Sequence, residues 1–187
     1  MNKLFFVTSN KGKLSEAKQK FSEINIDIVQ KDIGYPEVQA DSLEKVSIFG
    51  VEHVKERLKS PFILEDAGLF IEALKGFPGV YSSYVYHTIG LDGILRLMSS
   101  SKIKDRRAVF RSVFALCYNN EEPRLFIGEC LGSISKMKKG SKGFGYDPIF
   151  IPEGREVTFA EMDIFDKNSL SHRGKSLNKL MDFVKNI

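Results

Sequence analysis

The sequence predicts an α/β protein built on a parallel or mixed sheet, and three observations carry that prediction. Short apolar runs of strand character alternate with helix-period segments through the first half of the chain. Two β-rich runs separated by a polar turn read as a hairpin further on, and the chain closes on another apolar strand and an amphipathic helix. At 187 residues it is one domain, or two lobes sharing one core. Hydrophobic content of 42% with 28% charged residues is that of a soluble globular protein. The N-terminal apolar run, residues 4–7, is too short for a signal-peptide core, and nowhere do about 18 apolar residues run together, so the expected location is the cytoplasm.

Residues 4–7 form the first strand; Thr8, Ser9 and Asn10 follow as turn and cap residues, and Leu14, Ala17 and Phe21 mark one face of a helix. A junction of this kind leaves backbone N–H groups and the positive end of the helix dipole facing the turn, a place for phosphate, to which Lys11 and Lys13 add charge. The alternative is a plain N-cap with solvated lysines. No GxxxxGK[ST] loop is present. Residues 26–29 read as a second strand, and Ser42 starts a long helix carrying Leu43, Val46, Val54 and Leu58 until Pro61 stops it.

The next stretch, FILEDAGLFIEA at 62–73, places an acid at the expected end of a buried strand. Side chains alternate along a strand, so Glu65 and Asp66 cannot share one cleft unless the strand breaks at Gly68. One carboxylate is therefore a site candidate and the other structural. A carboxylate beyond the carboxyl end of such a strand can hold a hard cation or orient water; alternatively Asp66 only opens a turn with Gly68.

Residues 76–90, dense in glycine and aromatics, read as a packed loop or interface rather than a regular element, and 91–98 as a short amphipathic helix. Residues 99–107 read as an exposed connection, with Arg106, Arg107 and Arg111 as solvated or strand-edge charges. Runs at 108–118 and 124–135 form the hairpin, and the lysines at 136, 138, 139 and 142 a mobile solvated loop. Gly143, Phe144, Gly145, Tyr146, Asp147 and Pro148 put two aromatics and an acid into a glycine-rich turn before the strand at 149–151; glycine admits a flat ligand and an exposed ring can stack on a base. Lys167, Ser169, Ser171, His172, Arg173 and Lys175 gather cations and hydroxyls before a final helix with Leu177, Leu180, Met181 and Val184 inward. Two anion-friendly sites and an acid suggest a phosphorylated ligand with a metal. Cys117 and Cys130 lack any CxxC spacing and read as buried thiols. The balance of 28 basic to 24 acidic residues is too mild to argue for nucleic acid.

Six segments in order, TSNKGK (8–13), LEDAG (64–68), FPGVYS (77–82), GFGYDPIF (143–150), TFAEM (158–162) and KNSLSHRG (167–174), closely resemble the non-canonical purine nucleoside triphosphate pyrophosphatases, the inosine triphosphatase-like family. The resemblance spans nearly the whole chain as a single domain, 1–187. It implies a two-lobed α/β fold with a central mixed sheet flanked by helices, a β-hairpin-containing second lobe, and a nucleotide cleft between lobes, usually in a homodimer. It also implies Mg²⁺-dependent hydrolysis of ITP, dITP and XTP to monophosphate and pyrophosphate. Carried over by position, the phosphate loop falls on Thr8, Ser9, Asn10, Lys11, Gly12 and Lys13. The catalytic and metal-binding acid falls on Asp66, and the second metal carboxylate on Glu37. Ala67 would touch substrate through its backbone, and Phe144 would stack on the base, with Gly145, Tyr146 and Asp147 completing that wall. Lys167, His172 and Arg173 would hold phosphate and base edge. The chain departs from many relatives near Ser47 and Gly50, where they carry Asn or Lys, and at Tyr84, where they carry Arg. Two rivals differ in ligand or in class: a pyrophosphatase for modified pyrimidine or methylated nucleotides, and a nucleotide- or nucleic-acid-binding module without turnover.

Overall fold

The computed structural model describes residues 2–36, 38–59, 61–100 and 104–186. Its strands are β1 (Lys3–Val7), β2 (Asp27–Lys31), β3 (Phe62–Ile71), β4 (Pro78–Gly79), β5 (Arg107–Cys117), β6 (Arg124–Ile134) and β7 (Phe150–Pro152). The helices are α1 (Lys11–Phe21), α2 (Leu43–Lys55), α3 (Ser82–Thr88), α4 (Gly90–Leu97), α5 (Ile164–Leu170) and α6 (His172–Val184). The seven strands form one mixed sheet in the order β2-β1-β3-β5-β6-β7, with β4 on β3. β1 runs parallel to β2 and β3, whereas β4 is antiparallel to β3 and β7 to β6. β5 and β6 are neighbours joined by residues 118–123, a connection that only an antiparallel pair can use, so the expected hairpin is present.

The chain divides into two compact units: Met1–Asp66, Ser112–Gly128 and Arg173–Ile187 form the first, and Ala67–Arg111 with Glu129–His172 the second. In the first unit the alternation of strand side chains separates two apolar clusters. Leu4, Phe6, Ile63, Phe114 and Leu116 pack with Ala17 and Phe21 of α1 and Leu177, Leu180, Met181 and Val184 of α6. Val7, Phe62, Leu64, Ala115 and Cys117 pack with Val51 and Val54 of α2. The strands here are buried on both faces, as parallel strands covered by helices are. The inward faces expected for α1 and α6 are the observed ones. α2 starts at its Ser42 cap, whose hydroxyl accepts from the Lys45 amide, but stops at Lys55, so Leu58 joins the core from beyond the helix.

In the second unit Leu69, Ile71, Val85, Ile94, Met98, Phe110, Ile134, Tyr146, Phe150 and Phe159 form the core. Four expectations change here. β3 does not end at its acids but runs on to Ile71, and Gly68 lets β4 pass: a Cβ there would lie 2.4 Å from the carbonyl oxygen of Gly79. Residues 82–88, expected in a loop, form α3; its residues are weak helix formers, and tertiary contacts of Ser82 and Val85 override propensity. Arg106 is no surface charge, since its guanidinium donates to the carbonyls of Met98, Ile134 and Ser135. The lysine-rich loop is anchored by its backbone: the Lys139 and Lys142 amides donate to Pro148 and Ala160, and Thr158 donates its hydroxyl to the Lys139 carbonyl.

Candidate functional site

The alternation that divides the first core also divides the acid doublet. Ile63 and Glu65 face α1 and α6, and Leu64 and Asp66 the other side. Glu65 is therefore delivered, fully buried, to a polar cluster inside an apolar layer. Its Oε1 accepts from the Ser112 hydroxyl at 2.7 Å and from Arg173 Nε at 3.0 Å, and its Oε2 pairs with Lys13 Nζ at 2.7 Å. Arg173 also pairs with Glu16 of α1 at 2.7 Å and is itself only 2% exposed. Burial alone would raise the Glu65 carboxyl, but the Arg173 guanidinium, the Lys13 ammonium and the hydroxyl bond outweigh it and hold the group at about 2. Burial would likewise lower the Arg173 guanidinium, and its two carboxylates instead raise it. Glu65 is thus the structural member of the doublet. Asp66 is half-buried on the opposite face.

The β1–α1 junction takes the form its sequence predicts. The Asn10 side chain accepts from the Lys13 amide at 3.0 Å, the Thr8 hydroxyl accepts from the Asn10 amide at 3.1 Å, and Gln30 holds the Thr8 carbonyl at 2.9 Å. Helix geometry leaves the amides of Lys11 and Gly12 without intrahelical acceptors, and no acidic residue occupies the first turn. Ser9, Asn10 and Lys11 are exposed, and Thr8, Gly12 and Lys13 half-buried. The junction can therefore receive an anion.

The other group lies in the second unit. Gly143 and Gly145 take φ of +72° and +60°, and a Cβ at Gly143 would fall 2.1 Å from Asp147 Oδ2, so only glycine fits there. That oxygen accepts from the Phe144 amide at 2.8 Å and from Lys167 Nζ at 2.6 Å, both of the charged pair being buried. The ammonium also sits 4.9 Å from the centre of the Phe144 ring. Tyr146, expected as part of an exposed aromatic wall, is buried and donates its hydroxyl to the Ser82 carbonyl at 2.8 Å; burial, with Tyr86 nearby, pushes its phenol up. Phe144 and Gly145 are half-buried. His172 is buried and stacked on Phe110, with centroids 4.4 Å apart and planes 8° from parallel. Ala67 follows Asp66 in β3 and is half-buried.

Glu37, the second metal carboxylate implied by the resemblance, lies outside the described residues. For a divalent cation the described residues offer the half-buried Asp66 carboxylate, whereas Glu65 is buried in ion pairs with Lys13 and Arg173. One carboxylate suits Mg²⁺, which takes one or two from the protein and the rest of its shell from water and substrate phosphate. Glu16, Ser112 and Ser176 are the members of the buried cluster that sequence reasoning missed. Their signals were present: Glu16 adjoins Ala17 on the inward face of α1, and Ser112 shares strand parity with Phe114 and Leu116.

Comparison with known proteins agrees with this architecture. The Ham1 family model matches residues 4–183. A protein of Pyrococcus horikoshii named dITP/XTP pyrophosphatase is 54% identical over 183 residues, covering 98% of this chain and 97% of its own. One of the same name from Thermococcus kodakarensis is 49% identical with the same coverage. Among solved structures, a HAM1 protein from Coxiella burnetii superposes with a TM-score of 0.84 at 28% identity, covering all of both chains. The Staphylococcus aureus Ham1 protein gives 0.82 at 27%, covering 98% of each. With the family model spanning nearly its entire length and relatives near half identity along all of it, the chain belongs to the Ham1 family.

Proposed function

We propose that this protein hydrolyses non-canonical purine nucleoside triphosphates, namely dITP, XTP and ITP, to the monophosphate and pyrophosphate with Mg²⁺. The observation that carries the reading is the 54% identity, along 98% of the chain, to a protein named dITP/XTP pyrophosphatase. The geometry supports it. Asp66 is half-exposed, on the face of β3 opposite a Glu65 that is buried in ion pairs with Lys13 and Arg173. Asp66 orients the water that attacks the α-phosphorus, opposite the departing pyrophosphate, and with Glu37 holds the metal. The metal, when bound, offsets charge building on the phosphate oxygens. The free amides at the start of α1, with Thr8, Ser9, Asn10, Lys11 and Lys13, bind phosphate oxygens. Phe144 offers its ring face to the base beside Gly145. A ligand that reaches Lys167 or Arg173 has to share or displace the carboxylates they hold.

Base choice follows from hydrogen-bond chemistry. Hypoxanthine and xanthine carry a carbonyl where adenine carries an amino group, and a donor aimed at that oxygen rejects adenine by about 10⁴-fold in a well-built site. The test is parallel incubation of the protein and Mg²⁺ with dITP, XTP, ITP, ATP and GTP, assaying pyrophosphate apart from phosphate. Monophosphate with pyrophosphate from the first three is expected; diphosphate with phosphate, or no turnover, overturns the reading. Asp66→Asn is expected to lower kcat by at least about 10³-fold without unfolding the protein. The homodimer implied by the resemblance belongs to the same reading, and light scattering at assay concentration checks it.

A further inference from the structure

The Lys13 side chain is 19% exposed, yet its ammonium is not a loose surface charge. It lies 2.9 Å from the backbone oxygen of Glu65 and 2.7 Å from Glu65 Oε2. The first contact is a hydrogen bond and the second an ion pair, so the ammonium is held from two sides while its three N–H donors are not used up. Glu65 is itself fixed from three elements: Ser112 of β5 and Arg173 of α6 hold its Oε1, and Glu16 of α1 holds Arg173 from the other side. Ser176, one turn along α6, lies 3.0 Å from the Ser112 hydroxyl and donates to the Arg173 carbonyl.

We infer that Glu65 is the positioning residue for Lys13, holding its ammonium as an oriented donor for a phosphate oxygen. The phosphate end of this inference rests on the function proposed above; the pinning of the ammonium does not. Two consequences follow. First, the cluster of Glu16, Glu65, Lys13 and Arg173 sums to zero formal charge, so Lys13 contributes direction more than net positive potential. A donor already in place meets developing charge without reorganising. Second, charge alone cannot replace it: a guanidinium is longer, planar and forked, and does not reproduce a point donor seated on both Glu65 acceptors.

The experiment combines NMR of lysine ammonium groups in ¹⁵N-lysine-labelled protein with steady-state kinetics on XTP. Without ligand, a restrained, slowly exchanging Nζ signal is expected for Lys13 in the wild type beside that of the buried Lys167; it is identified by its absence from Lys13→Arg and averages to surface-like mobility in Glu65→Gln. Inorganic tripolyphosphate is expected to shift that signal, which reads phosphate contact without turnover. Glu65→Gln is expected to lower kcat by about 10²-fold with KM changed much less, the size expected for a misplaced contact. Lys13→Arg is expected to be no better than Lys13→Met. A Lys13 ammonium already mobile in the wild type, or a Lys13→Arg enzyme within tenfold of wild-type kcat, overturns the inference. So does a folded Glu65→Gln protein with unchanged kcat. Should Glu65→Gln fail to fold, the wild-type and Lys13→Arg arms decide, since neither alters Glu65. A wild type that turns over no nucleotide but shows the restrained, tripolyphosphate-responsive signal defeats the proposed reaction and supports the pinned lysine.

Discussion

In the first unit the buried carboxylate of Glu65 is gripped by Lys13, Arg173 and Ser112, and Arg173 in turn bridges to a second acid, Glu16. In the second unit Asp147 faces Lys167 at 2.6 Å inside a glycine turn, with the Phe144 amide on the same oxygen and ring faces around the ammonium. Charge is buried in both places, but the first arrangement is a chain in which each inner member serves two neighbours. In the second, one oxygen of Asp147 is shared between the Lys167 ammonium and a backbone amide, and so also shapes a turn. Losing Arg173 takes one cation from two buried acids, whereas losing Lys167 leaves the amide on Asp147.

The largest expected effect tests that contrast directly. Arg173→Met leaves Glu16 and Glu65 buried without their guanidinium and is expected to cost about 3–5 kcal/mol. Lys167→Met leaves Asp147 its bond from the Phe144 amide and is expected to cost less, about 1–3 kcal/mol. Denaturant midpoints of the two variants check the order, and a reversal would dissolve the distinction.

Acid sharpens it next. The folded-state carboxyl of Glu65 sits at about 2 against an ordinary 4.5, so its contribution is fully present above pH 4.5 and is lost as pH falls toward 2. At about 1.4 kcal/mol per unit, the loss is roughly 3 kcal/mol across that window. Unfolding free energy measured from pH 6 to pH 2 is expected to fall more steeply in the wild type than in a folded Glu65→Gln variant; parallel curves would remove Glu65 from the account.

The smallest effect concerns the turn itself. Tyr146→Phe removes the bond to the Ser82 carbonyl and is expected to cost about 1 kcal/mol, with an unchanged denaturant slope. No measurable change would mean that packing alone seats the turn.

What was legible in the sequence was mostly what lies close along the chain. The β1–α1 junction, its Asn10 cap and the inward Leu14, Ala17 and Phe21 are readable because cap and period act within a few residues. The splitting of Glu65 from Asp66 also followed from alternation alone, although the strand does not end at these acids as expected. Gly68 answers to the Gly79 carbonyl, a partner that its own neighbourhood does not reveal. Arg173 read as a cation for a ligand, but its burial depends on Glu16, a residue 157 positions away. α3 was missed because weak helix formers there are held by Ser82, whose hydroxyl donates to Gly79 and accepts from the Leu69 amide.

The first half of β3 carries apolar side chains on both faces, Ile63 toward one helical layer and Phe62 and Leu64 toward the other. Such a strand has no greasy side and wet side to keep it in step, so a slip of one residue would be nearly invisible to hydrophobic burial. Glu65, which must meet Arg173, and Gly68, which must pass Gly79 without a side chain, act as teeth that fit only one notch. A one-residue insertion at residue 61 that left the partners of β3 in place would offer Leu64 to the guanidinium and Ala67 to the Gly79 carbonyl. The residues that set the strand in register are therefore the same polar and glycine positions that frame Asp66, so the alignment of the chain and the aim of its acid are indexed together.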